Sequence, residues 1–290
     1  MNEEHRNFLI EGEQAGLRYH LGTTRKQLVG PGGLYQGRQA GSSLEFKDHR
    51  SYEPGDDLRH IDWNAYARSD QITVKLFHEE VTPHLDLVVD GSRSMALPES
   101  EKLRTNLGLA AMLTAAAMNT GFSTRVWLLD NTCRLINNNG DSPQSWDTIP
   151  FDFGGDAGQT FLRKPPEWKP RSIRILLSDL LWNCNPQQIM ANCADGATAV
   201  GVVQILARSD AEPEAAGQVR LVDCETGETR EVQVDKEMIQ RYHKALSEHQ
   251  NNWNLAARRV GSIMTGVIAE ECVLDWKLDE FVAAELLKIA

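Results

Sequence analysis

The chain predicts an α/β domain, a mostly parallel sheet with helices on both faces, preceded by a β-rich N-terminal extension. Apolar runs of strand length recur at Leu85–Asp90, Ser172–Ser178 and Thr198–Leu206. They are predominantly apolar rather than strictly alternating, as in strands buried on both faces. Segments of helical spacing separate them, and strands alternating with helices imply parallel pairing through crossovers.

In chain order, Gly16–Ser43 carries seven glycines among Arg18, Arg25, Lys26 and Arg38 and reads as loop. Within it Gly32–Gln39 has the glycine spacing of a phosphate loop, but Arg38 and Gln39 stand where lysine and a hydroxyl are needed. Glu45–Glu80 is dense in charge and aromatics, with a turn at Glu53-Pro-Gly-Asp56 and a β-rich end at Ile72–Phe77. Residues 1–80 are therefore expected to form the extension and 81–290 the main domain.

In the main domain a helix is expected from about Glu101 to Gly121, a strand at Thr124–Leu129 and a short partner at Cys133–Ile136. Pro186–Ala194 is a short helix, and Val219–Asp223 with Arg230–Val234 an inserted hairpin, near 218–234. The longest helix runs from an Asp235 cap to Gly261, with Met238, Ile239, Tyr242, Leu246, His249, Trp253, Ala256 and Val260 on one face. Ser262–Ala269 is a last strand and Leu278–Ile289 a closing amphipathic helix.

The chain has 290 residues and a formal charge of -11, from 41 acidic and 30 basic residues, which argues against a dedicated binder of nucleic acid or anionic membrane. The N-terminus lacks a basic region followed by an apolar one, and no stretch approaches the roughly 18 apolar residues of a membrane span. A soluble, cytoplasmic protein without membrane association is expected. Five cysteines without a CxxC pair predict reduced thiols rather than a disulfide framework or zinc site.

The chemistry concentrates where the Leu85–Asp90 run ends in Asp90-Gly-Ser-Arg-Ser94. Asp90, Ser92 and Ser94 offer a carboxylate and two hydroxyls at one strand end, and hard cations such as Mg²⁺ take oxygen ligands. Asp179 ends another strand, and the ligand crevice of an open parallel sheet lies beyond the carboxyl ends of its strands. Between them, Gly154–Thr160 supplies a loop with the hydroxyl of Thr160; Thr148, Asp152 and Asp156 lie in the same connection. Helix capping is the alternative role for these residues.

Asp-x-Ser-x-Ser, a later Thr and a still later Asp together resemble the metal-ion-dependent adhesion site of von Willebrand factor A domains. Residue by residue, Asp90, Ser92 and Ser94 match the first loop, Thr160 the second and Asp179 the third; Asp156–Gln159 intervene where the family's Thr often follows paired glycines directly. Glu45–Arg68, EFKDHRSYEPGDDLRHIDWNAYAR, with Val74–Glu80, VKLFHEE, is similar to the signature block of the bacterial domain of unknown function 58. Asp223–Asp235 and the helix after it are also similar to that family. The resemblance implies a von Willebrand A-like (Rossmann-like) fold, bound Mg²⁺ or Mn²⁺, and a role as adaptor or co-chaperone beside a MoxR-type AAA+ ATPase in assembling or activating other proteins.

On this reading the ion grips an acidic residue of a protein partner. A metal-dependent hydrolase is the alternative, but it needs a base near the bound water. His84, starting the strand that Asp90 ends, lies roughly 20 Å away at ~3.3 Å per residue and is expected to face solvent. Arg93 is expected to point to solvent or to an incoming carboxylate. Asp48, His49, Asp56, Asp57, His60 and Asp62 offer a second metal or acid–base set. The preferred reading is a salt-bridged docking platform in which Arg50, Arg59 and Arg68 answer those acids over packed Tyr52, Trp63 and Tyr66. Its partner-facing residues are Arg50, Asp56, Asp57, Arg59, Trp63 and Arg68, with Arg93 at the metal loop. Nucleic-acid binding through Arg18, Arg25, Lys26 and Arg38, with Tyr19 and Tyr35 for stacking, is a further alternative. The oligomeric state is open.

Overall fold

A computed structural model describes residues 3–22, 46–77, 83–98, 100–138, 140–146, 149–214 and 217–290. The chain divides into two compact units, one of Met1–Gln27 with Pro83–Ala290 and one of Leu28–Thr82. The boundary expected at residue 80 thus shifts, because the chain's first residues belong to the larger unit. There α1 (Glu3–Gly16) and β1 (Tyr19–Leu21) bury Leu9, Ala15, Tyr19 and Leu21 in its core. β1 is a correction to the loop expected from Gly16.

In the smaller unit, β2 (Phe46–Ser51) pairs antiparallel with β3 (Thr73–Phe77), joined through α2 (Trp63–Ser69). The Glu53–Asp56 turn forms as expected, closed by the Asp56 N–H donating to Glu53 O at 3.0 Å, with Gly55 at φ 112°. Asp62 caps α2 by accepting from the N–H groups of Asn64 and Ala65.

The larger unit is built on a six-stranded sheet. Its elements are β4 (His84–Asp90), α3 (Lys102–Asn119), β5 (Ser123–Leu129), β6 (Cys133–Asn138), α4 (Ala157–Arg163), β7 (Ile173–Ser178), α5 (Pro186–Ala194), β8 (Ala199–Leu206) and α6 (Arg208–Ala211). A hairpin of β9 (Gly217–Val222) and β10 (Thr229–Val234) follows, then α7 (Lys236–Arg259), β11 (Ile263–Ile268), α8 (Ala269–Asp275), α9 (Asp279–Ala283) and β12 (Leu287–Ile289). Sheet order is β11-β8-β7-β4-β5-β6, parallel except for the β5–β6 pair. The chain therefore fills the sheet outward from β4 on one side and from β7 on the other. The gap between the ends of those two strands is the switch point where open α/β sheets bind ligands.

Every residue of β4 is buried, and side-chain alternation sorts them by face. Leu85, Leu87 and Val89 join the core under α1, α3, α8 and α9, whereas Val88 joins the core under α4, α5 and α7. Asp86 and Asp90 share the Val88 face. α3 is buried almost all round and meets α1 at a glycine contact, since a Cβ on Gly12 would lie 2.0 Å from Gly108 O. A Cβ on Gly108 would in turn strike the Trp276 ring at 2.0 Å.

Two helix expectations change. Leu278–Ile289 is not one helix: α9 stops where Glu285 turns left-handed (φ 58°), and Leu287–Ile289 pairs antiparallel with β1. This pairing buries Leu287 as Leu286 enters the core, and it ties the two ends of the described chain together. α7 follows its expected span, its Asp235 cap accepting from Met238 N at 2.8 Å, but only Trp253, Ala256 and Ala257 are buried. Tyr242 and Val260, expected on its inward face, are exposed. Among the described residues no helix is long and apolar enough to cross a membrane.

Candidate functional site

Asp90 ends β4 and is fully buried. Its Oδ1 accepts from Ser92 N at 3.0 Å, and its Oδ2 accepts from Ser178 Oγ at 2.5 Å and Trp182 Nε1 at 3.1 Å. The Asn106 amide on α3 holds the Asp90 carbonyl at 2.9 Å. Burial first, then the charge of Asp179, push the Asp90 carboxyl up to about 6, opposed by the Ser178 and Ser92 hydrogen bonds.

The residues after Asp90 curl into one turn of 3₁₀ helix, Arg93–Ala96, which sets the Ser92 and Ser94 hydroxyls 3.0 Å apart. Neither hydroxyl caps that helix: Ser92, at the N-cap, makes no side-chain cap bond. The loop is braced by the segment before α4, where Ser92 bridges to Phe153 and the Arg93 N–H donates to Phe153 O at 3.0 Å.

Asp179 follows β7 directly. Its Oδ1 accepts from Leu181 N at 3.1 Å and its Oδ2 from Lys102 Nζ at 2.8 Å; the same ammonium reaches Asp210 Oδ2 at 3.2 Å. Leu180, buried and left-handed at φ 57°, puts a strained residue in this turn, and such strain is retained where surrounding packing over-determines it. Here Leu180 N donates to Ser178 Oγ, and His249 Nε2 on α7 lies 2.7 Å from Leu180 O. Burial works to lower the pKa of the Lys102 ammonium, but Asp179 and Asp210 outweigh it and the net shift is upward.

The turn of the β9–β10 hairpin also reaches the loop. Ser94 N donates to Glu225 Oε1 at 3.0 Å, and Arg93 Nη1 to Glu225 O at 3.4 Å. Arg93 is exposed, as expected, but its guanidinium is also tied down, its Nε donating to Asp152 O at 2.9 Å. Glu225 Oε2 is buried with no hydrogen-bond donor among the described residues. Burial raises the Glu225 carboxyl, opposed by the Ser94 amide and hydroxyl and reinforced by Asp179.

Of the five residues read from the sequence, Asp90, Ser92 and Ser94 form one loop, and Asp179 is coupled to them through Ser178 and the Asp90 charge. Thr160 lies inside α4, buried, and no hydrogen bond joins its hydroxyl to the other four. Asp156 caps α4, accepting from Gln159 N at 2.9 Å; Thr148 is outside the described residues. Lys102 and Glu225 were not anticipated. Lys102 carries a signal, since a lysine in a helix's first turn opposes the helix dipole and so calls for a specific anionic partner. Glu225 carries none, being one acid in a polar turn.

No three His, Cys, Asp or Glu side chains among the described residues are grouped to hold a metal by themselves. A cation here would need the hydroxyls. Carboxylates with serine hydroxyls are oxygen donors of the kind Mg²⁺ and Mn²⁺ accept, and the orphaned Glu225 oxygen is of the same kind.

His84 is not solvent-facing. It is buried, 2.6 Å from Ser123 Oγ and 3.4 Å from Asp86 Oδ1. In the smaller unit, Arg50 pairs with Asp56 at 2.7 Å and Glu53 at 3.5 Å, and Arg59 with Asp57 at 2.7 Å. Arg68 meets the Asn64 carbonyl rather than an acid. Trp63 and Tyr66 do not pack beneath these pairs; they are 63% and 38% exposed and stack edge to face. The hydrogen bond with His49, 2.7 Å from its Oδ2, holds Asp62 at about 2, and Lys75 lies 3.6 Å away. Arg25, Lys26, Tyr35 and Arg38 lie outside the described residues. Tyr19 is buried in β1, and Arg18 donates to Asp275 O.

Comparison with known proteins gives the chain a family. The model of the family described as Protein of unknown function DUF58 matches residues 48–145 and 157–252. The chain belongs to the DUF58 family. Uncharacterized proteins of Mycobacterium tuberculosis and Mycobacterium bovis are each 25% identical to this DUF58 chain over 291 aligned positions, covering 93% of it and 89% of their own length. Two solved structures are also similar. The conserved hypothetical protein BatB from Bacteroides thetaiotaomicron matches at 12% identity and a TM-score of 0.32, over 67% of this chain and 97% of that one. An aerotolerance-related membrane protein from Bacteroides fragilis, with multiple mutations to serines, matches at 15% and 0.36, over 66% and 95%. Likeness at that level carries no argument for this DUF58 chain.

Proposed function

We propose that this chain is a metal-ion-dependent protein–protein interaction module of von Willebrand A-like architecture. Its role is that of an adaptor or co-chaperone that works with a MoxR-type AAA+ ATPase in protein assembly or activation, rather than that of an enzyme. The observation that carries the reading is the pair of serine hydroxyls, 3.0 Å apart, beside the buried carboxylate of Asp90 at the sheet's switch point.

Ser92 and Ser94 offer neutral oxygens directly to a cation. Asp90 and Asp179, both buried and already hydrogen-bonded, supply negative charge behind them, and Lys102 limits that charge so that the pair is tolerated in the interior. Mg²⁺ or Mn²⁺, when bound, would supply a Lewis-acidic position open to a carboxylate from another protein. A hydrolase would need a base at that position, and His84 stands at the opposite end of β4, held by Ser123 and Asp86.

The test is a titration of purified chain against a MoxR-type ATPase from the same genome, with Mg²⁺ and with EDTA, using wild type and Asp90→Ala. Binding that EDTA and the substitution each abolish, with the variant still folded by circular dichroism, is the expected result. Binding indifferent to both would refute the metal-gated reading.

A further inference from the structure

The geometry points to Glu225 as an acidic ligand of the metal site supplied by the chain itself, delivered by the β9–β10 hairpin to the position that a partner's carboxylate would take. The inference rests on the metal reading above and adds a residue to it. Three independent features converge. The Glu225 carboxylate is hydrogen-bonded to the Ser94 amide, in the loop that carries both serine hydroxyls. Its second oxygen is buried and lacks a donor, an arrangement that costs free energy in a neutral setting and that a cation would satisfy. The turn is built to present it: Asp223 Oδ1 accepts from both Glu225 N and Thr226 N, and Gly227, at φ 76°, closes the turn onto Asp223 O.

The surroundings fit a docked arm. Gly154 has no side chain where the tip's backbone arrives, and a Cβ there would lie 2.5 Å from Glu225 O. Along the arm Leu221 and Val222, next to the turn, are 49% and 60% exposed, so this end of the hairpin lies outside the core. A partner's acidic side chain would therefore meet a site already closed from within and would have to displace the hairpin to enter.

The probe is Mn²⁺ alone, followed by calorimetry and by the water-proton relaxivity of the bound ion, with wild type, Glu225→Gln and Gly154→Ala. Glu225→Gln keeps the shape and the acceptor for Ser94 N, so the fold is retained. Gly154→Ala displaces the tip without touching the carboxylate. Both variants should bind Mn²⁺ at least ~10-fold more weakly than wild type, with higher relaxivity as water replaces the lost oxygen. Equal or tighter binding by both variants at unchanged relaxivity would overturn the role of Glu225 while leaving the metal site standing. Absence of saturable Mn²⁺ binding to wild type would overturn the metal reading, and this inference with it.

Discussion

Asp86→Ala should cost about 3–5 kcal/mol of stability, a fall in Tm of roughly 6–20 °C, although none of its hydrogen-bond partners lies in the Asp90–Ser94 loop. Asp86 is a fully buried carboxylate in the middle of β4. Its Oδ1 accepts from Arg125 Nε at 3.0 Å and Trp127 Nε1 at 3.1 Å and faces His84 Nε2; its Oδ2 accepts from Lys169 N at 3.0 Å. Removing it leaves a guanidinium, an indole N–H and a backbone amide without their acceptor, and buried groups so orphaned incur their full desolvation penalty.

The same group makes the fold acid-sensitive. Burial alone would raise its pKa, but the hydrogen bonds from His84, Trp127 and Lys169 and the charge of Arg125 outweigh it and hold the carboxyl well below the usual range. In the unfolded chain the group returns to about 3.9, so the unfolded state takes up its proton first as the pH falls. Its stabilisation is complete above that value and is lost progressively below it. Thermal melts from pH 7 to pH 2 should therefore show the gap between wild type and Asp86→Ala narrowing below about pH 4. A gap that stayed constant, or a Tm change of a degree or two at pH 7, would contradict this assignment.

Lys102→Met should be nearly as damaging, at about 3 kcal/mol or more. Methionine matches the stem of the lysine but leaves Asp179 and Asp210 facing one another without the ammonium that now lies 2.8 and 3.2 Å from them. Because the lost charge is a cation beside Asp179, saturating Mn²⁺ should, on the proposed metal reading, raise the Tm of this variant more than that of wild type. Equal shifts would mean that Lys102 and the bound ion do not share the field of Asp179.

The strands that position the site were legible because β4, β7 and β8 are buried on both faces and so are predominantly apolar, with only Asp86, Arg174 and Gln204 among their interior residues charged or polar. The closing segment was not, since Leu278, Phe281, Leu286 and Leu287 suit a helical face as well as they suit α9 followed by a strand. Only pairing with β1, at the other end of the described chain, decides between them. The site divides in the same way. Asp90, Ser92 and Ser94 are neighbours in sequence, and Asp179 ends a recognisable strand, so local pattern was enough. Lys102 and Glu225 are brought in by α3 and by the hairpin: a lysine in a helix's first turn signals the need for an anion without naming Asp179 and Asp210, and an acid at a turn's tip ordinarily reads as solvated. Tyr66 misled in the opposite direction: it read as packed beneath the ion pairs, yet it is exposed on α2 beside Trp63, whose own exposure suits the partner-facing place given to it and not the packed one.

The most direct test of the central claim is isothermal titration of Mg²⁺ and of Mn²⁺ into wild type and into Ser92→Ala/Ser94→Ala. Saturable binding to wild type that the double variant loses, without a change in its circular dichroism, is the expected result, because the two hydroxyls would complete the donor set of the proposed site. Binding of equal strength to both proteins would place the ion elsewhere and rule out the Ser92–Ser94 site.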